Sequence, residues 1–161
     1  MTQQPPVGDN SGVRIFPPGV YLGGLIVGYL IQWMRPIAVA PDAWSLPVRI
    51  LGIVVLALGV WLVLSAATLF GRLGTPPNPT QPTTALATDG PYRFTRNPMY
   101  LGMGLMLAGF ALVGNALWPL IALLPVVGII RLQVIDREER YLEAKFGNEY
   151  RDFKARVRRW I

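Results

Sequence analysis

Residues 99–130 read MYLGMGLMLAGFALVGNALWPLIALLPVVGII, 32 residues without a charge. A straight helix of that length would measure about 48 Å, against a hydrocarbon core of about 30 Å, so a single crossing does not use it up. Gly114-Asn115 stands at its middle, and a helix end followed by a tight turn suits that pair. The run is therefore expected to fold as two short antiparallel helices over 98–113 and 116–134. Pro119 is tolerated in the first turn of the second, and Pro125 should kink it. A re-entrant hairpin over 98–134 is the shallower alternative.

Two further apolar runs precede this pair. Ile50 to Phe70 gives 21 residues without a charge, enough to span. Gly19 to Met34 is apolar except for Gln32, and at about 24 Å it needs residues 15–18 to complete a crossing. The expected fold class is all-α: an integral membrane protein with about four transmembrane helices (19–34, 48–70, 98–113, 116–134) and a cytosolic C-terminal helical segment, 135–160. Residues 1–18 read as a flexible tail before a single domain, 19–161. They lack a basic start, so no cleaved signal peptide is expected.

Hydrophobic residues make up 52% of the chain and charged residues only 15%, well below the share in ordinary globular proteins. There is no histidine and no cysteine, which excludes Cys and His nucleophiles, disulfides and the usual zinc sets; no metal site is expected. The net charge of +6 is concentrated rather than spread. Arg14, Arg72, Arg93, Arg96 and the nine Lys/Arg from Arg131 onward fall on one side of the expected membrane, Arg35 and Arg49 on the other. That asymmetry places both termini and the loop 71–97 in the cytoplasm, and argues against nucleic acid as a partner. The expectation is a multi-pass protein of the cytoplasmic membrane of a prokaryote.

Polar side chains gather where loop 71–97 meets the apolar run, in GPYRFTRNPMYLGMG (90–104). A proline-rich loop this long is usually functional or disordered. Asn97-Pro98 has the form of a helix start, an N-cap followed by proline at the first helical position. Arg96 stands beside that start and can grip a carboxylate with its fork of donors; Arg93 reads as a membrane-flanking charge. Tyr92 and Tyr100 suit the interface, or a site beside a cation. Gly102 and Gly104 either serve close helix packing or leave room for a ligand.

The segment after 134 is helical in pattern and heavily charged. Counting 100° per residue from Ile135, Leu142 and Phe146 form an apolar stripe within about 20° of it. Glu138 lies about 60° to one side, Glu139 about 40° to the other, and Arg131 falls within about 20° of Glu138. Carboxylates at such an edge are costly unless paired or liganded; pairing with Arg131, Arg137 or Arg140 is the plainer alternative. Asp136, Arg137 and Arg140 read as solvated charge. Gly147 should break the helix, with Asn148 capping a short one. Arg158-Arg159-Trp160 suits a lipid-headgroup-facing end.

GPYRFTRNPMYLG, followed after the expected hairpin by EERYLEAKFGNEYRDFKARVRRW, resembles the isoprenylcysteine carboxyl methyltransferase family and is similar to the related membrane phospholipid N-methyltransferases. The resemblance covers roughly residues 86–160. It implies an all-helical membrane enzyme using S-adenosylmethionine, which enters from the cytosol and sits among the last two spans and the C-terminal helix. A membrane lipid or lipophilic small molecule would arrive from the bilayer as acceptor. The family motifs map onto Tyr92, Arg96, Pro98, Tyr100, Gly102, Gly104, Glu138 and Glu139. Arg96 and Tyr100 become the candidate catalytic residues. Tyr92, Asn97, Tyr100, Gly102, Gly104, Arg131, Glu138 and Glu139 become the candidate cofactor-binding set. The family often has histidine after the arginine where this chain has Asn97, so no imidazole role transfers. A carboxylate acceptor needs no base, whereas an amine acceptor would need glutamate, tyrosine or water to take its proton. The alternative is a non-catalytic membrane binding or transport module, or an inactive relative.

Overall fold

The computed structural model describes residues 10–76, 78 and 81–161. Helix α1 (Pro17–Met34) opens on a proline pair, where missing N–H groups remove no helical bond. Helix α2 (Asp42–Leu73) is 32 residues long and carries Pro47 near its start. It begins before the span expected over 48–70, because a proline this early removes only an outer-turn bond. The helix ends at Gly74, whose φ of +62° is left-handed and suits glycine. A 3-10 turn (Gly90–Arg93) leads to α3 (Pro98–Val113) and α4 (Leu117–Ile130). A π-helical stretch (Arg131–Ile135) then runs straight into α5 (Asp136–Phe146), and α6 (Asn148–Arg156) comes after Gly147. Gly147 has φ +56° and breaks the helix as expected. Among the described residues there is no strand, only one antiparallel bridge between Ala38 and Ala116.

Two helical runs, Asp42–Leu73 and Leu117–Phe146, are long and apolar enough to cross a membrane. Only 17% and 28% of their apolar windows is buried inside the protein. A soluble core helix would hide such residues, but Leu51, Val54, Leu58, Trp61 and Leu64 all face outward. Helix α3 packs along α2, and α1 along α4. The first pair meets backbone to backbone: a Cβ on Gly59 would stand 2.7 Å from the Gly102 carbonyl oxygen, and one on Gly109 would stand 2.7 Å from the Leu56 nitrogen.

The two connections 35–41 and 114–116 are tied together at one end of the bundle. The Asn115 side chain bonds both Ala40 N (3.0 Å) and Ala40 O (2.9 Å), from a left-handed backbone (φ +48°) that asparagine tolerates. Trp118 Nε1 donates to Arg35 O at 2.7 Å. At the opposite end, the start of α3, the end of α2, the loop between them, α5 and α6 converge. Part of the stretch expected as a tail over 1–18 is held against the fold. Residues 1–9 lie outside the described residues, but Val13 is buried and Gly12 O accepts from Arg137 Nη1 at 3.0 Å. Arg137 is thus a tether rather than a solvated charge.

Candidate functional site

That converging end encloses a cavity with an empty volume of about 790 Å³, its open mouth included. One wall is apolar, with Phe70 from α2, Met99 from α3 and Leu142 from α5. Loop residues Pro76, Thr83 and Ala85–Ala87 cover it, tied down by Thr84 N to Thr75 Oγ1 (2.9 Å) and Thr83 N to the Tyr141 hydroxyl (3.2 Å). Described parts of the loop expected to be functional or disordered thus form a cavity wall.

The polar wall holds Tyr92, Arg96, Asn97, Tyr100, Glu138 and Glu139, all six expected from sequence. The Tyr100 hydroxyl donates to Glu138 Oε1 at 2.8 Å. Desolvation pushes the Glu138 carboxyl up to about 7; the Tyr100 bond opposes that rise, and the nearby Glu139 charge adds to it. Among the described residues no cation pairs with Glu138. Tyr92 is buried edge-on against Phe70, ring centroids 5.7 Å apart, and burial raises its hydroxyl pKa.

Glu139 is occupied differently. Arg159 grips it with Nε to Oε1 (3.1 Å) and Nη2 to Oε2 (2.7 Å), while Arg96 Nη1 lies 3.3 Å from Oε1. Among the described residues neither glutamate pairs with Arg131, Arg137 or Arg140. The Arg96 side chain is only 10% exposed, yet its Nε and Nη1 are buried without a hydrogen-bond partner. Among the described residues, the cavity therefore contains a carboxylate without a cation and a guanidinium with unfilled donors, a pairing that suits a ligand carrying both charges.

Asn97 occupies the N-cap position of α3 but makes no side-chain cap bond there. Its Nδ2 donates instead to Arg159 O at 3.0 Å, which ties the amide to the C-terminal strap. Gly102 and Gly104 are not on the cavity wall. Gly102 is filled from outside by α2, where a Cβ would stand 2.8 Å from Gly59 O. Near Gly104 the neighbours are Leu123 and Tyr21.

Arg131 is exposed and likewise absent from the cavity. The wheel that set it beside Glu138 assumed an unbroken α-helix, but residues 131–135 are π-helical. A π turn accommodates one extra residue, which rotates α5 by about 100° and removes Arg131 from the face of Glu138.

Sequence reasoning missed Arg159, Tyr150 and Tyr21. Arg159 was expected to face lipid headgroups but turns inward, and Trp160 packs on the core. Tyr150 and Phe153 lie three apart on the buried face of α6, a spacing visible in the sequence, and Tyr150 lines the cavity. The Tyr21 hydroxyl donates to Tyr100 O at 2.8 Å and fixes the first turn of α3 from α1; no local pattern signals that contact.

The phospholipid methyltransferase family model matches residues 47–149, a span that holds Tyr92, Arg96, Asn97, Tyr100, Glu138 and Glu139. The chain is also similar to an uncharacterized protein of Haemophilus influenzae, 45% identical over 64 residues, which make up 39% of this chain and all of that protein. No solved structure matches the chain.

Proposed function

The chain belongs to the phospholipid methyltransferase family, and on that footing we propose an S-adenosylmethionine-dependent enzyme that methylates a lipophilic acceptor at the membrane–cytosol boundary. The observation that carries this reading is a pair of opposite groups in one cavity: Glu138, which no cation pairs among the described residues, and Arg96, whose Nε and Nη1 lack a hydrogen-bond partner. Glu138 would hold the cofactor's ammonium or sulfonium, and Arg96 its carboxylate. When bound, the cofactor supplies an activated methyl group on a good leaving group. The chain's own task is then alignment and exclusion of water. Phe70, Met99 and Leu142 keep the cavity wall dry, Tyr100 fixes the Glu138 carboxyl, and Tyr92 offers a ring near any cation bound there.

The acceptor is a carboxylate or an amine on a membrane lipid or lipophilic small molecule. For a carboxylate no proton need move. With an amine, Glu138 has a proton affinity near neutrality and would be the group to take it. In this reading α1, α2, α3 and α4 all cross the membrane, with both termini and the cavity in the cytoplasm.

Titration calorimetry of the detergent-purified protein tests the cofactor. S-Adenosylmethionine and S-adenosylhomocysteine should both bind with dissociation constants on the order of micromolar. Absence of binding would return the chain to a binding or transport module. Topology has its own measurement, since the native chain contributes no thiol. Asn10→Cys and Ala155→Cys should be labelled by an impermeant reagent only from the cytoplasmic side, and Ala43→Cys only from outside. Labelling of Asn10→Cys and Ala155→Cys from opposite sides would mean an odd number of crossings.

A further inference from the structure

Arg159 does not line the cavity; it stands behind Glu139, in a second cleft bounded by Asp136, Arg140 and Lys154. Glu139 faces both spaces and is the partition between them. We propose that Arg159 is a positioning residue: by filling both oxygens of Glu139 it keeps the buried Arg96 guanidinium from pairing fully with that carboxylate, and so available to an anionic group of the bound ligand. This role rests on the cofactor reading above.

An arginine next to a carboxylate ordinarily takes both oxygens with two parallel N–H bonds. On Glu139 that place belongs to Arg159, through Nε at 3.1 Å and Nη2 at 2.7 Å, while Nη1 of the same fork reaches Asp136 at 3.0 Å. Toward Glu139, Arg96 is left with a charge contact of 3.3 Å that is not aligned as a hydrogen bond; the Tyr150 hydroxyl is its other polar neighbour, and its Nε and Nη1 remain unpartnered. Buried donors in that state are costly unless a ligand fills them. Without the Arg159 fork, Glu139 would have two free oxygens within reach, and Arg96 would turn to them. Its donors would then be occupied before any ligand arrived.

The backbone of Arg159 has a separate job. Its carbonyl accepts from Thr95 Oγ1 and Asn97 Nδ2, each at 3.0 Å, and Arg158 O accepts from Arg96 N at 3.0 Å. Changing the side chain leaves these bonds in place, so the strap should stay docked.

The test uses the full-length protein in detergent and calorimetric titration with S-adenosylmethionine, S-adenosylhomocysteine and decarboxylated S-adenosylmethionine. The last of these has no carboxylate for Arg96 to hold. In Arg159→Gln, affinity for the two carboxylate-bearing ligands should fall about tenfold or more, while the decarboxylated ligand changes by less than about threefold. Arg159→Lys keeps the charge without the two-point grip and should show the same selective loss, which covers the case of a glutamine variant that fails to fold. Equal losses for all three ligands would make Arg159 a structural neutraliser of Glu139 and overturn the proposal. If the wild-type protein binds none of them, the cofactor reading fails and this role with it.

Discussion

Glu138→Gln is expected to weaken S-adenosylmethionine binding by about 10- to 100-fold, the effect of removing a charged partner from a cation in a desolvated site. The substitution keeps the shape and an acceptor for the Tyr100 hydroxyl, which now donates to Glu138 Oε1 at 2.8 Å. Its pH dependence separates this role from packing. The Glu138 carboxyl is pushed up to about 7, so the folded, unliganded protein holds a proton that an unfolded chain has already released at lower pH. Stability from this group is therefore present in acid and declines as pH rises through the window up to about 7. A bound cation reverses the preference by favouring the carboxylate. Wild-type affinity should rise between about pH 5.5 and 8, roughly tenfold per unit at most while Glu138 is still protonated. The unliganded melting temperature should drift downward over the same range. In Glu138→Gln both trends should flatten. Parallel pH profiles for the two proteins would exclude Glu138 from the ligand.

Arg96→Lys should lose about 1.5–3 kcal/mol of cofactor binding, the scale of a hydrogen bond to a charged group. Lysine keeps the charge yet offers a point rather than a fork. The control is Arg93→Lys, three residues away. The Arg93 side chain is 71% exposed and paired with Asp89 at 3.0 Å, so its replacement should change binding by less than about 0.5 kcal/mol. Titration of both variants at matched purity gives the comparison. Equal, small effects would leave Arg96 as a structural partner of Glu139 and nothing more.

The local part of this arrangement was legible in the sequence. The charge-free run and the Gly114-Asn115 break placed α3 and α4, and Gly147 placed the end of α5, because apolar length and backbone-breaking residues act within a few positions. The start of α2 was missed because Pro47 reads as a boundary, although near a helix start it costs little. At the site, the polar edge of α3 and the glutamate pair of α5 were visible as chemistry set against an apolar background. Arg159 was not. It lies 20 residues from Glu139 in the chain, beside a tryptophan and a second arginine that have the look of a lipid-facing end. Only the fold of the strap onto residues 95–97 turns it inward. Gly102 carried two readings in the sequence, and the close approach of α2 selects packing.

The π-helical stretch Arg131–Ile135 has a consequence for how this protein tolerates changes in length. The stretch holds one residue more than a regular turn, so removing one there would restore a regular helix with α5 still in phase with α4, whereas inserting one more would swing α5 by about 100°. On such an insertion the carboxylates of Glu138 and Glu139 would leave the cavity together, with no change in their identity or in the apolar character of α4. The loop between α2 and α3 can absorb an insertion at modest entropic cost. This joint cannot, for it has already taken up its one extra residue and so keeps the apolar and cavity-facing halves of one continuous rod in phase.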